Sequence, residues 1–201
     1  EKATKALFVV PGYYSAENLS LLLGIAKECG IPFQGVVDSS LLAASKMPLR
    51  KNILHLDIHL HCITLTRLSN NEGNLSRHNV KVVIETGLAT LLDRWANIIA
   101  NQLIQTTRFD PMHDADSEQL LFDLLPAWIK GLGDGNMHPF AIATGTAEHS
   151  VTISSENLLR ACAPLYPEIV QAIRSEIQTG EAPSLLLSHL FRGFPGLGDS
   201  L

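Results

Sequence analysis

Short apolar runs and longer amphipathic stretches alternate along this chain, and turn residues punctuate almost every change of period. Lys5 to Val10 (KALFVV) is apolar and closed by Pro11-Gly12, the pattern of a buried strand ending in a turn. Ser15 is placed to N-cap a helix over Ala16 to Cys29 that Gly30 and Pro32 stop. Leu19, Leu22, Leu23 and Ala26 repeat at helical spacing as its expected buried face. Phe33 to Val37 predicts a second strand, and Ser39 or Ser40 opens a short helix that Pro48 ends. Strand–helix–strand–helix is the order of a parallel or mixed sheet covered by helices.

Asn52 to Leu68 (NILHLDIHLHCITLTRL) predicts two short strands meeting at a tight, histidine-rich turn, with Asp57 inside the first. Ser69 to Asn74 is a polar turn, followed by a short strand over Val80 to Ile84. Gly87 precedes a long amphipathic helix from Leu88 to about Gln105, with Leu91, Leu92, Trp95, Ile98, Ile99 and Ile104 clustered to one side. Arg108 to Ser117 (RFDPMHDADS) reads as a loop with a cap at Asp116 or Ser117, and a second helix runs from Glu118 to about Lys130. Gly131 to Pro139 is glycine-rich and expected to be flexible; Phe140 to Ala143 and Val151 to Ile153 predict a hairpin. Ser154 or Ser155 caps a further helix in a capping-box pattern, which Pro164 and Pro167 kink or split before Gly180. Ser184 to Leu187 is a final apolar strand, and Phe191 to Asp199 a turn-rich tail. No solenoid repeat is visible.

Composition narrows the class. With 201 residues, 46% hydrophobic and 17% charged, the chain has the make-up of a soluble globular protein of one large or two small domains. A net charge of -5 and the absence of long Lys/Arg runs argue against a nucleic-acid or anionic-membrane surface. Cys29, Cys62 and Cys162 are too few and too scattered for a disulfide framework and read as buried thiols of a reducing cytoplasm. No apolar run has the length of a membrane span, and no signal peptide is recognised. A start at Glu1 rather than Met is what a fragment of something longer would show.

Several strings in this order resemble the nucleotide-binding domain of DnaK-type chaperones, in the actin/sugar-kinase superfamily. ALFVVPGYYSAEN (Ala6 to Asn18) looks like that family's strand, Pro, aromatic and helix-capping string. GVVDSSLLAAS (Gly35 to Ser45) looks like its connecting segment between two lobes. NILHLDIHLHCITLTRL stands where the family places its second phosphate motif, and HNVKVVIETGLATLLDRWANIIANQLI resembles the strand, glycine turn and long helix that follow. FAIATGTAEHSVTISSENLLRACAPLYPEIVQAIRSEI resembles a hairpin and helix beside the adenosine pocket, and SLLLSHLFRGFPGLGD stands at the adenosine motif. The resemblance implies an α/β, actin-like (ribonuclease H-like) ATPase fold: a mixed sheet flanked by helices, comprising part of lobe I plus lobe II. It implies residues 1–48 as the end of lobe I with a connecting helix, and 49–201 as lobe II with a helical subdomain at about 87–153. The family's N-terminal strands and first phosphate motif have no counterpart here.

By that resemblance, ATP and Mg2+ would lie between the lobes of the full-length parent. Asp57 and Asp38 would handle the metal and the attacking water, and Cys62, Gly87, Ser188 and His189 would stand at the nucleotide. The match is degenerate. The positions after Asp57 are Ile58, His59, Leu60 and His61, with Cys62 where the family has Thr. A phosphate hairpin needs glycines there so that backbone N–H groups can approach the anion. Ser188 and His189 replace a Gly-Gly pair. The expectation is therefore a degenerate, bacterial-type DnaK/actin-like domain with a chaperone-like or scaffolding role. It would bind a protein partner or client and hold ATP weakly or not at all, without ATPase activity as this chain alone.

One alternative comes from a different class. His55, Asp57, His59 and His61 alternate, so on a single strand all four would share a face. The His59/His61 pair would then suit a metal-dependent hydrolase, completed by His113, Asp114 and Asp116. GLGDG at Gly131 to Gly135 lacks the GK[ST] ending and preceding strand of a phosphate loop, and no G-x-S-x-G elbow exists. Trp95 and Trp128 sit at core-compatible helical positions.

Overall fold

Apolar runs bounded by Gly and Pro produce the strands, and the capped amphipathic stretches produce the helices. The structure, a computed structural model, describes residues 4–47, 51–132, 136–193 and 196–197. In chain order the elements are β1 (Ala6–Val10), α1 (Ala16–Glu28), β2 (Phe33–Asp38), α2 (Ser39–Ala44), β3 (Asn52–Ile58), β4 (Cys62–Asn71) and β5 (Asn74–Ile84). Then follow α3 (Leu88–Thr107), α4 (Ala115–Gly131), β6 (Met137–Thr144), β7 (Ala147–Ser154), α5 (Ser155–Cys162), α6 (Tyr166–Glu176) and β8 (Ser184–Leu187). The fold is mixed α/β, with a mixed sheet flanked by helices. The chain divides into two compact units: Glu1–Asp57, Ile63–Val83 and Ala172–Ser188 form the first, and Ile58–Cys62, Ile84–Gln171 and His189–Leu201 the second.

The first unit contains a parallel β1–β2 pair joined through α1, the right-handed crossover grammar of an α/β protein. It also contains most of a four-stranded sheet in the order β5-β4-β3-β8, in which β8 runs parallel to β3. The Asn70 N–H to Lys51 C=O bond (2.7 Å) and the His59 N–H to Cys62 C=O bond (2.8 Å) set β3 and β4 as an antiparallel hairpin. One face of this sheet carries Ile53 and Leu68, against which Leu41 and Ala44 of α2 pack with Leu75 and Leu186. Burial of such side chains is worth about 1.5–3 kcal/mol each and holds α2 down despite its six residues.

In the second unit, Leu91, Trp95, Ile99 and Leu103 form the fully buried stripe of α3, spaced four residues apart. They share the core with Leu121 and Leu125 of α4, Leu158 of α5, and Phe140 and Ile142 of the β6–β7 hairpin. Trp128 packs edge-on against Phe140, with ring centroids 5.1 Å apart.

Several local expectations shift. The buried face of α1 is thinner than its Leu pattern implies: Ala26 is buried, Leu23 is 36% exposed, and Cys29 at the C-cap is exposed, so only Cys62 and Cys162 are the buried thiols expected. The cap of α2 is Asp38 rather than Ser39 or Ser40, and that of α4 is Asp114 rather than Asp116 or Ser117. In both places the carboxylate one or two residues earlier takes the orphan N–H groups first. β5 begins at Asn74, not Val80, because its polar stretch is tied into the sheet; Ser76 and His78 both bond Ser69. Met137–Pro139 belong to β6 rather than to a loop. The two prolines after α5 give a 3-10 turn (Ala163–Leu165) and a second helix, α6. Pro48, Gly133–Gly135, Phe194, Pro195 and Asp199 lie outside the described residues.

Candidate functional site

In open α/β sheets, ligand sites form at the carboxyl ends of parallel strands. The first unit has two such ends, and each bears one of the carboxylates singled out from sequence. Asp38 is the last residue of β2, beside β1, and Asp57 the penultimate residue of β3, beside β8.

Around Asp38 the geometry is tight. Oδ1 accepts the N–H groups of Ser40 (2.8 Å) and Leu41 (3.3 Å), capping α2. Oδ2 pairs with Arg77 Nη1 at 2.6 Å, and the same nitrogen donates to the Gly12 carbonyl at 3.0 Å. Position 12 must be bare for this: a Cβ there would lie 2.8 Å from Asp38 Oδ2 and 3.1 Å from Arg77 Nη1. The pair borders a cavity of about 290 Å3 whose walls include Val10, Pro11, Tyr14 and Leu41.

The register of the β3–β4 hairpin places Thr66 across from His55 and Thr64 across from Asp57, all on the face covered by α2. His55, Thr64, Thr66 and Ser40 are buried, and Asp57 half-buried. Ser40 Oγ donates to Thr66 Oγ1 at 3.1 Å; a hydroxyl has one proton, so His55 Nδ1, 2.9 Å away, donates to Ser40. The apolar half of the α2 interface thus gives way to a bonded polar strip toward Asp57. Ser188 follows β8, its N–H held by the Leu56 carbonyl at 2.9 Å, and its hydroxyl oxygen is buried with no hydrogen-bond partner among the described residues.

Within the second unit, the turn after Asp57 closes on α3. The N–H groups of Leu88 and Ala89 donate to the carbonyls of His59 (2.9 Å) and Leu60 (2.8 Å), and Glu85 N–H to His61 (3.2 Å). The first turn of α3 is therefore satisfied by the hairpin and not free for an anion. Gly87, its N-cap, is held so close that a Cβ would lie 2.5 Å from Leu60 O, His61 C and Cys62 N. Cys62 and Gly87 are brought together, as structural partners. His189 opens a 3-10 turn and is exposed.

His59 and His61 lie in this turn, beyond the end of β3. Strand alternation consequently places only His55 and Asp57 on one face, and the shared-face argument for the His59/His61 pair does not apply. Asp114 is engaged in capping α4, and the Ser117 hydroxyl and N–H hold its carboxyl below the usual carboxylate range. Elsewhere in the second unit, burial pushes the Cys162 thiol up to about 11, although Trp95 Nε1 donates to its sulfur at 3.0 Å.

Sequence reasoning missed Arg77, Gly12, Ser40 and Thr66. Arg77 shares its strand face with Lys81, and nothing in the sequence ties it to positions 12 and 38.

No protein-family model matches the chain, and no curated protein matches it. Among the described residues, no helix is long and apolar enough to cross a membrane.

The residues implied for Mg·ATP fit that group only in part. Ser188 offers an unused hydroxyl. Against it, the turn carries bulky residues and spends its carbonyls on α3, while Asp38 is consumed by Arg77 and by capping. The phosphate end of such a site does not fit.

Proposed function

We propose that this chain is a degenerate actin/DnaK-like domain with a chaperone-like or scaffolding role, in which ATP is held weakly or not at all and is not hydrolysed. The observation that carries the reading is the hairpin bearing Asp57, set in a mixed sheet beside the parallel strand β8 and preceded by β1–α1–β2–α2. That is the order in which the resemblance sets its connecting segment, phosphate hairpin and adenosine strand. Support for a protein partner comes from exposed apolar side chains on the first unit, among them Leu7, Val9, Leu21 and Ile25.

Calorimetry with Mg·ATP tests the nucleotide part. The expected result is weak binding, in the millimolar range, that Asp57→Ala reduces about tenfold, equivalent to about 1.4 kcal/mol. No heat at millimolar nucleotide, or heat unchanged by Asp57→Ala, would remove ATP from the proposal.

A further inference from the structure

The misfit at Asp38 has its own chemistry. A carboxylate that handles a metal must keep at least one oxygen for it, and divalent Mg2+ or Mn2+ takes oxygen ligands plus water. Asp38 keeps none. Two N–H groups take Oδ1, and Arg77 Nη1 takes Oδ2. The Gly12 carbonyl converges on the same Arg77 nitrogen, so two oxygens surround one cationic centre in a space that only a residue without Cβ leaves open. The Asp38 side chain is 10% exposed, while the Arg77 side chain is 43% exposed. A guanidinium is charged at every physiological pH and is tethered to the sheet, so it meets the carboxylate at high effective concentration.

We propose that Arg77 is an internal counter-ion occupying the cation position at Asp38, so that Gly12, Asp38 and Arg77 form a metal-independent latch. The latch joins the turn after β1 and the start of α2 to β5. It excludes a divalent ion from Asp38. The inference rests on the reading of Asp38 as a cleft carboxylate.

The test is a titration of the 15N-labelled chain with Mn2+ alone, following amide intensities by NMR. In the wild type, the amides of Gly12, Ser40 and Leu41 fade no faster than those of exposed acidic residues, and Asp38→Asn leaves the Mn2+ map unchanged. In Arg77→Gln, those three amides lose about half their intensity or more at roughly 1 mM Mn2+, and Arg77→Gln/Asp38→Asn abolishes the loss. Selective fading in the wild type that Asp38→Asn removes would overturn the proposal, as would a folded Arg77→Gln chain without selective fading. The wild-type and Asp38→Asn pair decides the matter even if Arg77→Gln does not fold. Calorimetry on Asp57→Ala involves neither Arg77 nor Mn2+, so the nucleotide reading and the latch fail separately.

Discussion

Gly87→Ala is the substitution that most directly tests how the hairpin meets α3. With φ at -75°, the backbone at this position suits alanine, so any cost is steric rather than conformational. The new methyl would lie 2.5 Å from three backbone atoms of Leu60, His61 and Cys62, none of which can rotate away. Relief requires the turn and the helix to part by about 1 Å, an overpacking strain of about 1–3 kcal/mol. That movement also breaks the bonds from Leu88 and Ala89 to the His59 and Leu60 carbonyls, each worth about 1 kcal/mol. The sum is about 4 kcal/mol, and at about 2–4 °C per kcal/mol for a chain of this size the midpoint should fall by roughly 10 °C. Thermal unfolding followed by circular dichroism reads this, with Gly24→Ala as the control. Gly24 lies inside α1 with nothing within 4 Å of its would-be Cβ, so there alanine should stabilise by about 0.5–1 kcal/mol. A Gly87→Ala midpoint within about 1 °C of wild type would refute the reasoning, since no relaxed geometry keeps both the bonds and the methyl.

Two further outcomes follow from the buried strip and the caps. Ser40→Ala removes both the acceptor of His55 Nδ1–H and the donor to Thr66, and should cost about 1–3 kcal/mol in urea unfolding; Thr66→Val combined with it should add less than the sum, because the two share one network. Asp114 has its folded pKa below the ordinary value near 3.8, so its contribution is complete above that value and is lost as pH falls through the folded pKa. Asp114→Asn keeps a good cap but cannot titrate, and should flatten the acid limb of stability below about pH 4 without lowering the midpoint at pH 7; an unchanged acid limb would exclude the carboxylate as its source.

Much of the architecture was legible because its signals are local. KALFVV, SLLLSHL and the Leu/Trp stripe of α3 each announce their element through period and composition alone. Ser15 reads correctly as a cap because its partner Asn18 is three residues away, and their two bonds close the capping box. Apart from the two helix caps, which were misplaced by one to three residues, most of what failed depends on partners elsewhere in the fold. The polar start of β5 looks like loop until Arg77 is seen to reach Gly12 and Asp38, and His78 to reach Ser69. The histidine alternation misled for a related reason: periodicity cannot tell where a strand stops, and β3 stops at Ile58. Asp38 itself was found, but its neighbours were not, so a residue read as available for chemistry emerged as one already engaged.

The pairing of β3 with β8 carries a consequence for synthesis on the ribosome. Ile53 and Leu54 pair with Ser184 and Leu185, more than a hundred residues further along the chain, so the central strand gains its parallel neighbour only after the whole intervening segment has been made. Most of the second unit, Ile84–Gln171, is a contiguous stretch that emerges in the meantime and can collapse on contacts of its own. The β3–β8 pairing of the first unit therefore forms late and at high contact order. Until β8 arrives, the edge of β3 that it covers is an unpaired strand edge, the kind of surface on which nascent chains misassociate.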